Sequence, residues 1–445
     1  MKVIVLMVFS FFLIGINSYS QFGEPINLSS GGVLSEGHSI HIADINSDGH
    51  LDILAITVNL DQVVWYESLG DGNFEDPIII TEYANSGRSV YAGDIDGDGD
   101  IDVFSASNID NKVAWYENIG DGEFGDQQII SIEAEGASSV YTSDFDGDGD
   151  LDILSTSNHD DKIAWYENLG GGLIGDQQVI STEVNEPHDA IGVDIDGDGD
   201  NDVVSASRLD DKVAWYENFG DGTFGDQIII SLESDAVYKV YSADLDGDSD
   251  MDIISTGLDN NLVWFENDGD GGFGSEMIIS AFLEAPRAAY TFDIDSDGDI
   301  DVFCASSNDN KIVWFENMGG GVFADEVIIS ENKSITPRDI HITDVNEDGF
   351  YDLVVLSSAD NKLSWYENLG GATFSGENII SASPNFPRNI YAADMDNDGD
   401  QDVFVASDND NKISWYENYG SGVFSSQNTI STETQTAYCV YAIDL

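Results

Sequence analysis

The apolar positions of this chain come in short runs rich in Val, Ile, Phe, Tyr and Trp, each closed by Gly, Asn or Asp. Runs of that kind are the grammar of strands and tight turns. Residues 88–131 serve as a type unit. "RSVYAGD" predicts a short strand, A, and an acidic loop follows. "IDVFSAS" predicts strand B, "NIDN" a turn, "KVAWYEN" strand C, "IGDG" a glycine turn and "EFGDQQIIS" strand D. No stretch carries an amphipathic helical period. Strands B and C are apolar on both faces, which implies sheets covered on both sides.

The unit recurs. The first Asp of the acidic loop stands at 44, 94, 144, 194, 244, 293, 344 and 394, a period of 49 to 51 residues. All eight Trp of the protein occupy one slot of strand C: Trp65, Trp115, Trp165, Trp215, Trp264, Trp314, Trp365 and Trp415. Four antiparallel strands per unit, buried on both faces, predict blades around an axis, an all-β propeller. A linear solenoid is the alternative, and closure is preferred because it leaves only short, protected edges. The Trp slot then packs between blades. "FGEPINLS" (22–29) matches a strand D, and "YCVYAIDL" (438–445) matches a ninth strand A that stops inside its loop at Asp444. Eight blades fit the eight full units; seven blades plus an extra unit, or a longer parent chain, are the other readings.

The acidic loop has the pattern D-x-[DN]-x-D-[GS]-x-x-D. Position 1 is Asp44, Asp94, Asp144, Asp194, Asp244, Asp293, Asp344 and Asp394. Position 3 is Asn46, Asp96, Asp146, Asp196, Asp246, Asp295, Asn346 and Asp396. Position 5 is Asp48, Asp98, Asp148, Asp198, Asp248, Asp297, Asp348 and Asp398, and position 9 is Asp52, Asp102, Asp152, Asp202, Asp252, Asp301, Asp352 and Asp402. Alternate positions place carboxylates on the inner side of a curled loop. Gly99 at position 6 permits the turn that returns Asp102, and the Asp100 carbonyl offers a further oxygen. Several flexibly held oxygen ligands select Ca²⁺ over a transition metal or Mg²⁺, so up to eight Ca²⁺ are expected in the A–B loops. No Glu stands at position 12 as an EF-hand requires. Ile95 and Ile101, at positions 2 and 8, are expected to anchor the loop to the core. Asn46, Asn346 and Ser249 (at position 6) mark variant loops.

Charge sharpens the reading. The formal net charge is −72, yet 41% of residues are hydrophobic, enough to build a core and exclude simple charge-driven disorder. Such acidity argues against nucleic acid and anionic membrane surfaces as partners. The eight loops hold 36 aspartates, against 86 acidic residues in the whole chain, so metal-free loops should repel themselves and ion binding should couple to folding. "MKVIVLMVFSFFLIGINSYS" (1–20) reads as a secretory signal, with Lys2, an apolar run too short for a membrane anchor, and Ser18 and Ser20 before a mature start near Gln21. Residues 21–445 form the propeller, expected to be a secreted or cell-surface monomer without membrane insertion. Cys304 and Cys439 sit where other units have small residues, so no disulfide scaffold is expected.

The thirteen basic residues after Lys2 fall beside B–C turns and D–A connections, on the face opposite the acidic loops. His38, Arg88, His188, Arg287, Arg338 and Arg388 share one register at the start of strand A, which lines the channel. They predict a partial ring of cations at one channel mouth, suited to an anionic glycan or a protein carboxylate. The competing reading is that they offset nearby acids such as Asp189 and Asp339. No nucleophile elbow, H-E-x-x-H or phosphate loop occurs, and the units are near copies, which favours multivalent binding over catalysis.

The acidic loops, the "FGDQQIIS"-type strands and the fifty-residue period resemble FG-GAP (VCBS-type) repeats, as in the integrin α-subunit propeller, over about residues 22–445. The resemblance implies Ca²⁺ on the lower propeller face, held at Asp94, Asp96, Asp98, Asp102 and their equivalents, and adhesion or ligand contact on the upper face. The "GAP" signature is absent, strand B ending in "SAS" or "STS" instead, so integrin-like partners are not implied. Two further functions accord with the resemblance: a polysaccharide lyase or dehydratase on the same propeller, and a structural spacer.

Overall fold

In a computed structural model of the chain the described residues run from 37 to 442, less 68–77 and 432–440 and short stretches at 50–51, 58–60, 121, 233–236, 238, 258–260, 332, 335, 347, 372, 386, 397 and 408–411. Residues 1–20, expected to be an export signal, residues 22–29, expected to be a strand, and Cys439 lie outside them. The chain forms eight four-stranded antiparallel blades in the order A-B-C-D, an all-β eight-bladed propeller. Blade 2 has strand A at Gly87–Gly93, B at Asp102–Ser107, C at Lys112–Tyr116 and D at Gln128–Ser131. Blade 1 gains a fifth strand: Tyr441–Ala442 pairs in parallel with its strand A, His41 opposite Tyr441. No helix occurs among the described residues, and none is long and apolar enough to cross a membrane.

The burial follows from the sequence. Every residue of strand B in blade 2 is buried and strand C is buried after Lys112, as runs apolar on both faces require. Strand A alternates instead, with Val90 and Ala92 inward to the blades and Ser89 and Tyr91 half-exposed toward the axis. Strand D is shorter than the segment 123–131 predicted for it. Phe124 makes one bridge to Asn118, then Gly125 N–H turns back onto the Glu117 carbonyl at 2.8 Å, and regular pairing resumes only at Gln128.

The tryptophans pack between blades. Trp65 is 2% exposed, and a Cβ added to Gly122 in the next blade's C–D turn would lie 2.1 Å from its ring. The same pair recurs as Trp115 with Gly172, Trp165 with Gly222 and Trp215 with Gly271. Gly122 has φ of +71°, so both its backbone and the ring beside it demand glycine. Burying about 150–250 Å² of indole at ~25 cal/mol per Å² contributes about 4–6 kcal/mol per joint before entropy is charged against it.

Candidate functional site: an acidic face and a basic channel mouth

Each A–B hairpin curls its aspartates into one cluster. In blade 2 the Asp94 Oδ1 accepts from Gly97 N–H (2.8 Å) and its Oδ2 from Gly99 N–H (3.0 Å), while Asp96 accepts from Asp98 N–H and Asp98 from Asp100 N–H. Gly99 sits at φ +99°, beyond the reach of most L-residues; Ser249, its equivalent in blade 5, is forced to +83°. Carboxylate oxygens of Asp94, Asp96 and Asp102 lie within 4.8 Å of one another, as do those of Asp144, Asp146 and Asp152 and of Asp194, Asp196 and Asp202. In blades 5 and 6 the equally close set is positions 1, 3 and 5: Asp244, Asp246 and Asp248, and Asp293, Asp295 and Asp297. The variant loops of blades 1 and 7 curl alike, with Asp48 N–H on Asn46 and Asp348 N–H on Asn346. In blade 8, Asp394 accepts from Asp398 and Gly399 N–H.

Position 9 is the buried member. Asp102 is inaccessible to solvent; its Oδ2 accepts from Ile95 N–H (3.1 Å) and its Oδ1 from Asn118 N–H (2.7 Å). Burial pushes its carboxyl up to about 7, against those two donors, and the Asp96 and Asp94 charges push the same way. Asp52 makes the equivalent bond to Ile45 N–H, at 3.1 Å. Asp152, Asp202, Asp252, Asp301 and Asp352 are likewise raised to about 7, and Asp402 to about 8, desolvation leading in each. Converging carboxylates, one of them desolvated, fit a hard divalent cation.

Two features at this face escaped the sequence reading. The first is Glu117 and its equivalents, beside position 3: Asn46 Nδ2 donates to Glu67 at 3.0 Å and Asn346 Nδ2 to Glu367 at 3.2 Å. The second is the Asn after that Glu. Asn118 Nδ2 donates to the Ile101 carbonyl of its own loop (3.1 Å) and to the Ile45 carbonyl of the preceding blade's loop (2.7 Å). Asn168, Asn218, Asn267, Asn317 and Asn418 make the same cross-blade bond to Ile95, Phe145, Ile195, Leu245 and Val345. Position 2 is therefore a shared node: its N–H goes to the buried Asp of its own loop and its carbonyl to the next blade. Position 2 is buried as expected, but position 8 anchors unevenly, Met251 and Tyr351 being exposed.

On the opposite face the strand C lysines are committed to their own turns. Lys112 Nζ meets Asp110 at 2.8 Å and the Tyr83 carbonyl at 2.6 Å; Lys162, Lys212, Lys311 and Lys362 pair likewise with Asp160, Asp210, Asp309 and Asp360. The strand A register places Arg88, His188, Arg287, Arg338 and Arg388 half-buried at the channel mouth. The His38 backbone shares that register in Gly37–Ala43, but its side chain lies outside the described set. Part of the cluster is internally paired: Glu186 takes Arg208 at 2.9 Å and lies 4.0 Å from His188, whose imidazole burial holds below its ordinary pKa. Arg338 Nε donates to Ser358.

One residue deeper, Asp189 accepts from Val240 N–H of the next blade and Asp339 from Ile390 N–H and Asn389. Desolvation in the channel wall raises both carboxyls, Asp339 to about 6, with Lys239 pulling the other way. Two residues further, in most blades, aromatic side chains line the channel: Tyr91 lies tilted beside Tyr141 (5.5 Å), and His341 between Tyr290 (5.7 Å) and Tyr391 (4.9 Å). His341 is depressed to about 4 by burial.

Fold and repeat together define a β-propeller assembled from tandem copies of one acidic hairpin blade. The sequence matches the FG-GAP-like repeat over residues 44–105, 94–155, 144–205, 194–255, 244–304, 293–355, 344–405 and 394–445, and the chain belongs to that family. No curated protein matches it. Among solved structures it is similar to an Agrocybe aegerita lectin that recognises non-reducing terminal N-acetylglucosamine (19% identity, 69% of this chain, 83% of the lectin, TM-score 0.51). It is similar more distantly to the V. cholerae biofilm matrix protein Bap1 (13%, 92% and 82%, TM-score 0.40) and to virginiamycin B lyase from Staphylococcus aureus (14%, 72% and 91%, TM-score 0.43). The likeness to the lectin is one of fold alone.

Proposed function

We propose that this chain is an exported, calcium-stabilised propeller that binds glycan or protein ligands at the cell surface, holding Ca²⁺ on one face and engaging its ligand at the basic mouth of the other. The observation that carries the reading is the repetition of one carboxylate cluster from blade to blade among the described residues. Positions 1, 3, 5 and 9 of each loop would hold the ion, which would neutralise carboxylates that otherwise repel. The chain's own part is to fix those carboxylates through backbone N–H donors and to join neighbouring loops through the Asn ladder. A rigid ring then presents the strand A residues in fixed register, the condition for binding without a large ordering cost. The lectin likeness is compatible with a glycan ligand. The test is a glycan array supplemented with anionic peptides, probed with the calcium-loaded protein and with a variant carrying Arg287→Ala, Arg338→Ala and Arg388→Ala. Binding abolished by the triple change supports the mouth as the ligand site. Binding unchanged refutes it.

A further inference from the structure

Near copies make a departure conspicuous, and the outer rim of the ring has one. Two residues past the last hydroxyl of strand D stand Glu133, Glu183, Glu233 and Glu433 in blades 2, 3, 4 and 8, and Asn332 and Ser383 in blades 6 and 7. Blade 1 has Tyr83 in that slot and blade 5 has Phe282, on opposite sides of an eight-bladed ring. Tyr83 is 70% exposed and Phe282 80%, so neither ring belongs to a core. Tyr83 borders an open groove of about 560 Å³ between the rims of blades 1 and 2. Strand D of blade 1 (Ile78–Thr81) supplies the exposed Ile79, and blade 2 supplies Asp126 and Gln127. Gln127 is committed: its Nε2 donates to the Tyr116 hydroxyl (2.7 Å) and its Oε1 accepts from Lys112 Nζ (3.3 Å). Lys112 in turn is paired with Asp110. The Asp126 carboxylate is exposed and has neither a hydrogen bond nor an ion pair among the described residues. The repeat sets Ile278, Phe282 and Asp325, all exposed, in the same positions at blades 5 and 6. Glu82, also in the first groove, has Ala281 as its counterpart, so the shared elements are a ring, an isoleucine and one open carboxylate.

Those elements restrict the ligand. An anion would face Asp126 and Glu82 at a like-charge cost, and the nearby Lys112 ammonium is already paired. A basic side chain would meet two carboxylates in the blades that keep Glu in the slot, Glu133 with Asp176 and Glu183 with Asp226. Exchanging that Glu for an aromatic ring halves the charge such a ligand would meet. The exchange favours a ligand that brings an uncharged apolar face together with hydrogen-bond donors. A pyranose ring is such a ligand: its C–H face stacks on the negative face of the aromatic ring, Ile79 flanks it, and its hydroxyls donate to Asp126. The groove falls within the range of about 300–1,000 Å³ usual for small-ligand sites. We infer that the rim grooves at Tyr83 and Phe282 bind a neutral saccharide, two to a ring, independently of any ligand at the channel mouth.

The test is saturation-transfer NMR and calorimetry on the full chain in millimolar calcium, with cellotetraose, mannotetraose and laminaritetraose as neutral probes and tetralysine as the cationic one. Wild type, Tyr83→Ala, Phe282→Ala, the double alanine variant, Tyr83→Phe and Asp126→Ala are compared, each with its melting temperature. Both rings are exposed, so the alanine changes should leave that temperature in place. The expected result is saturable binding of a neutral tetrasaccharide at two sites per chain. Each alanine change at a ring should remove one site and the double change both, while Tyr83→Phe retains two. Asp126→Ala should weaken one of the two sites at least tenfold. Binding by none of the three saccharides overturns the inference, as does binding that survives the double alanine change. Tetralysine binding that is lost on Tyr83→Ala would assign the groove to a basic segment and overturn the saccharide class.

Discussion

The Asn ladder makes a quantitative prediction about how neighbouring loops depend on each other. In Asn168→Ala three side-chain bonds vanish: Nδ2 to the Ile95 carbonyl (2.6 Å), Nδ2 to the Leu151 carbonyl (3.1 Å), and Oδ1 from Gly170 N–H (3.1 Å). Asn168 is wholly buried, so water cannot readily replace the donor at Ile95. A net hydrogen bond is worth about 1 kcal/mol, and a buried group left without a partner costs about 1–3 kcal/mol. With Ile95 charged at the upper range and the two more accessible groups at the lower, the loss is about 3–5 kcal/mol. Asn168→Asp should be worse, because it sets a carboxylate against two carbonyls beside the buried Asp152. The assay is urea unfolding of the calcium-saturated protein together with amide exchange. The alanine variant should unfold at lower urea, and the Ile95–Gly97 amides, some seventy residues away in the preceding blade, should lose protection. A midpoint unchanged within the equivalent of about 0.5 kcal/mol, or protection lost only in the blade that carries the substitution, would refute the coupling.

Other consequences follow from the same geometry. Gly122→Ala brings a methyl to within 2.1 Å of the Trp65 ring at φ +71° and should cost about 3 kcal/mol by thermal unfolding; a neutral result would remove the Trp–Gly joint from the account. Ser249→Gly relieves the +83° backbone of blade 5 and should stabilise the calcium-loaded protein by about 1 kcal/mol; a fall in melting temperature would show that Ser249 is not strained. Burial raises six of the position 9 carboxyls from 3.8 to about 7, and that of Asp402 to about 8, in the metal-free fold. Between those values the fold keeps protons that the unfolded chain has released, so metal-free stability is highest in acid and falls as pH rises through about 7. Melting in chelator should therefore drop from pH 5 to pH 8 while melting in calcium does not; parallel profiles would contradict the burial of Asp102 and its counterparts.

The order of strands and the carboxylate loop were legible in the sequence because each is local, a turn or a spacing within a dozen residues, and the blade period was legible because one unit recurs eight times. The Trp slot was legible because one residue type filled it in every unit. The Asn ladder was not, because Asn at the end of "WYEN" looks like an ordinary turn residue and its partner carbonyl lies 73 residues back. The signal was present in the recurrence of Asn at 118, 168, 218, 267, 317, 368 and 418, broken by Ser68. The aromatic layer of the channel was likewise visible only as a repeat, Tyr or His at 41, 91, 141, 241, 290, 341 and 391, broken by Ile191. The shortened strand D was misread because "EFGDQQIIS" was taken as one strand across its polar centre, where Gly125 turns back onto Glu117. The division of the basic residues into strand C lysines tied to local aspartates and strand A residues at the channel depended on distances that no spacing reveals.

The central claim is that divalent ions hold together a chain of formal charge −72. Its most direct test is the calcium content of the purified, dialysed protein, measured beside its melting temperature in millimolar calcium and in chelator. The account predicts close to eight bound ions and a melting transition that falls by well over ten degrees, or broadens into loss of cooperative unfolding, when they are removed. A protein that binds no calcium and melts at the same temperature in both conditions would contradict it.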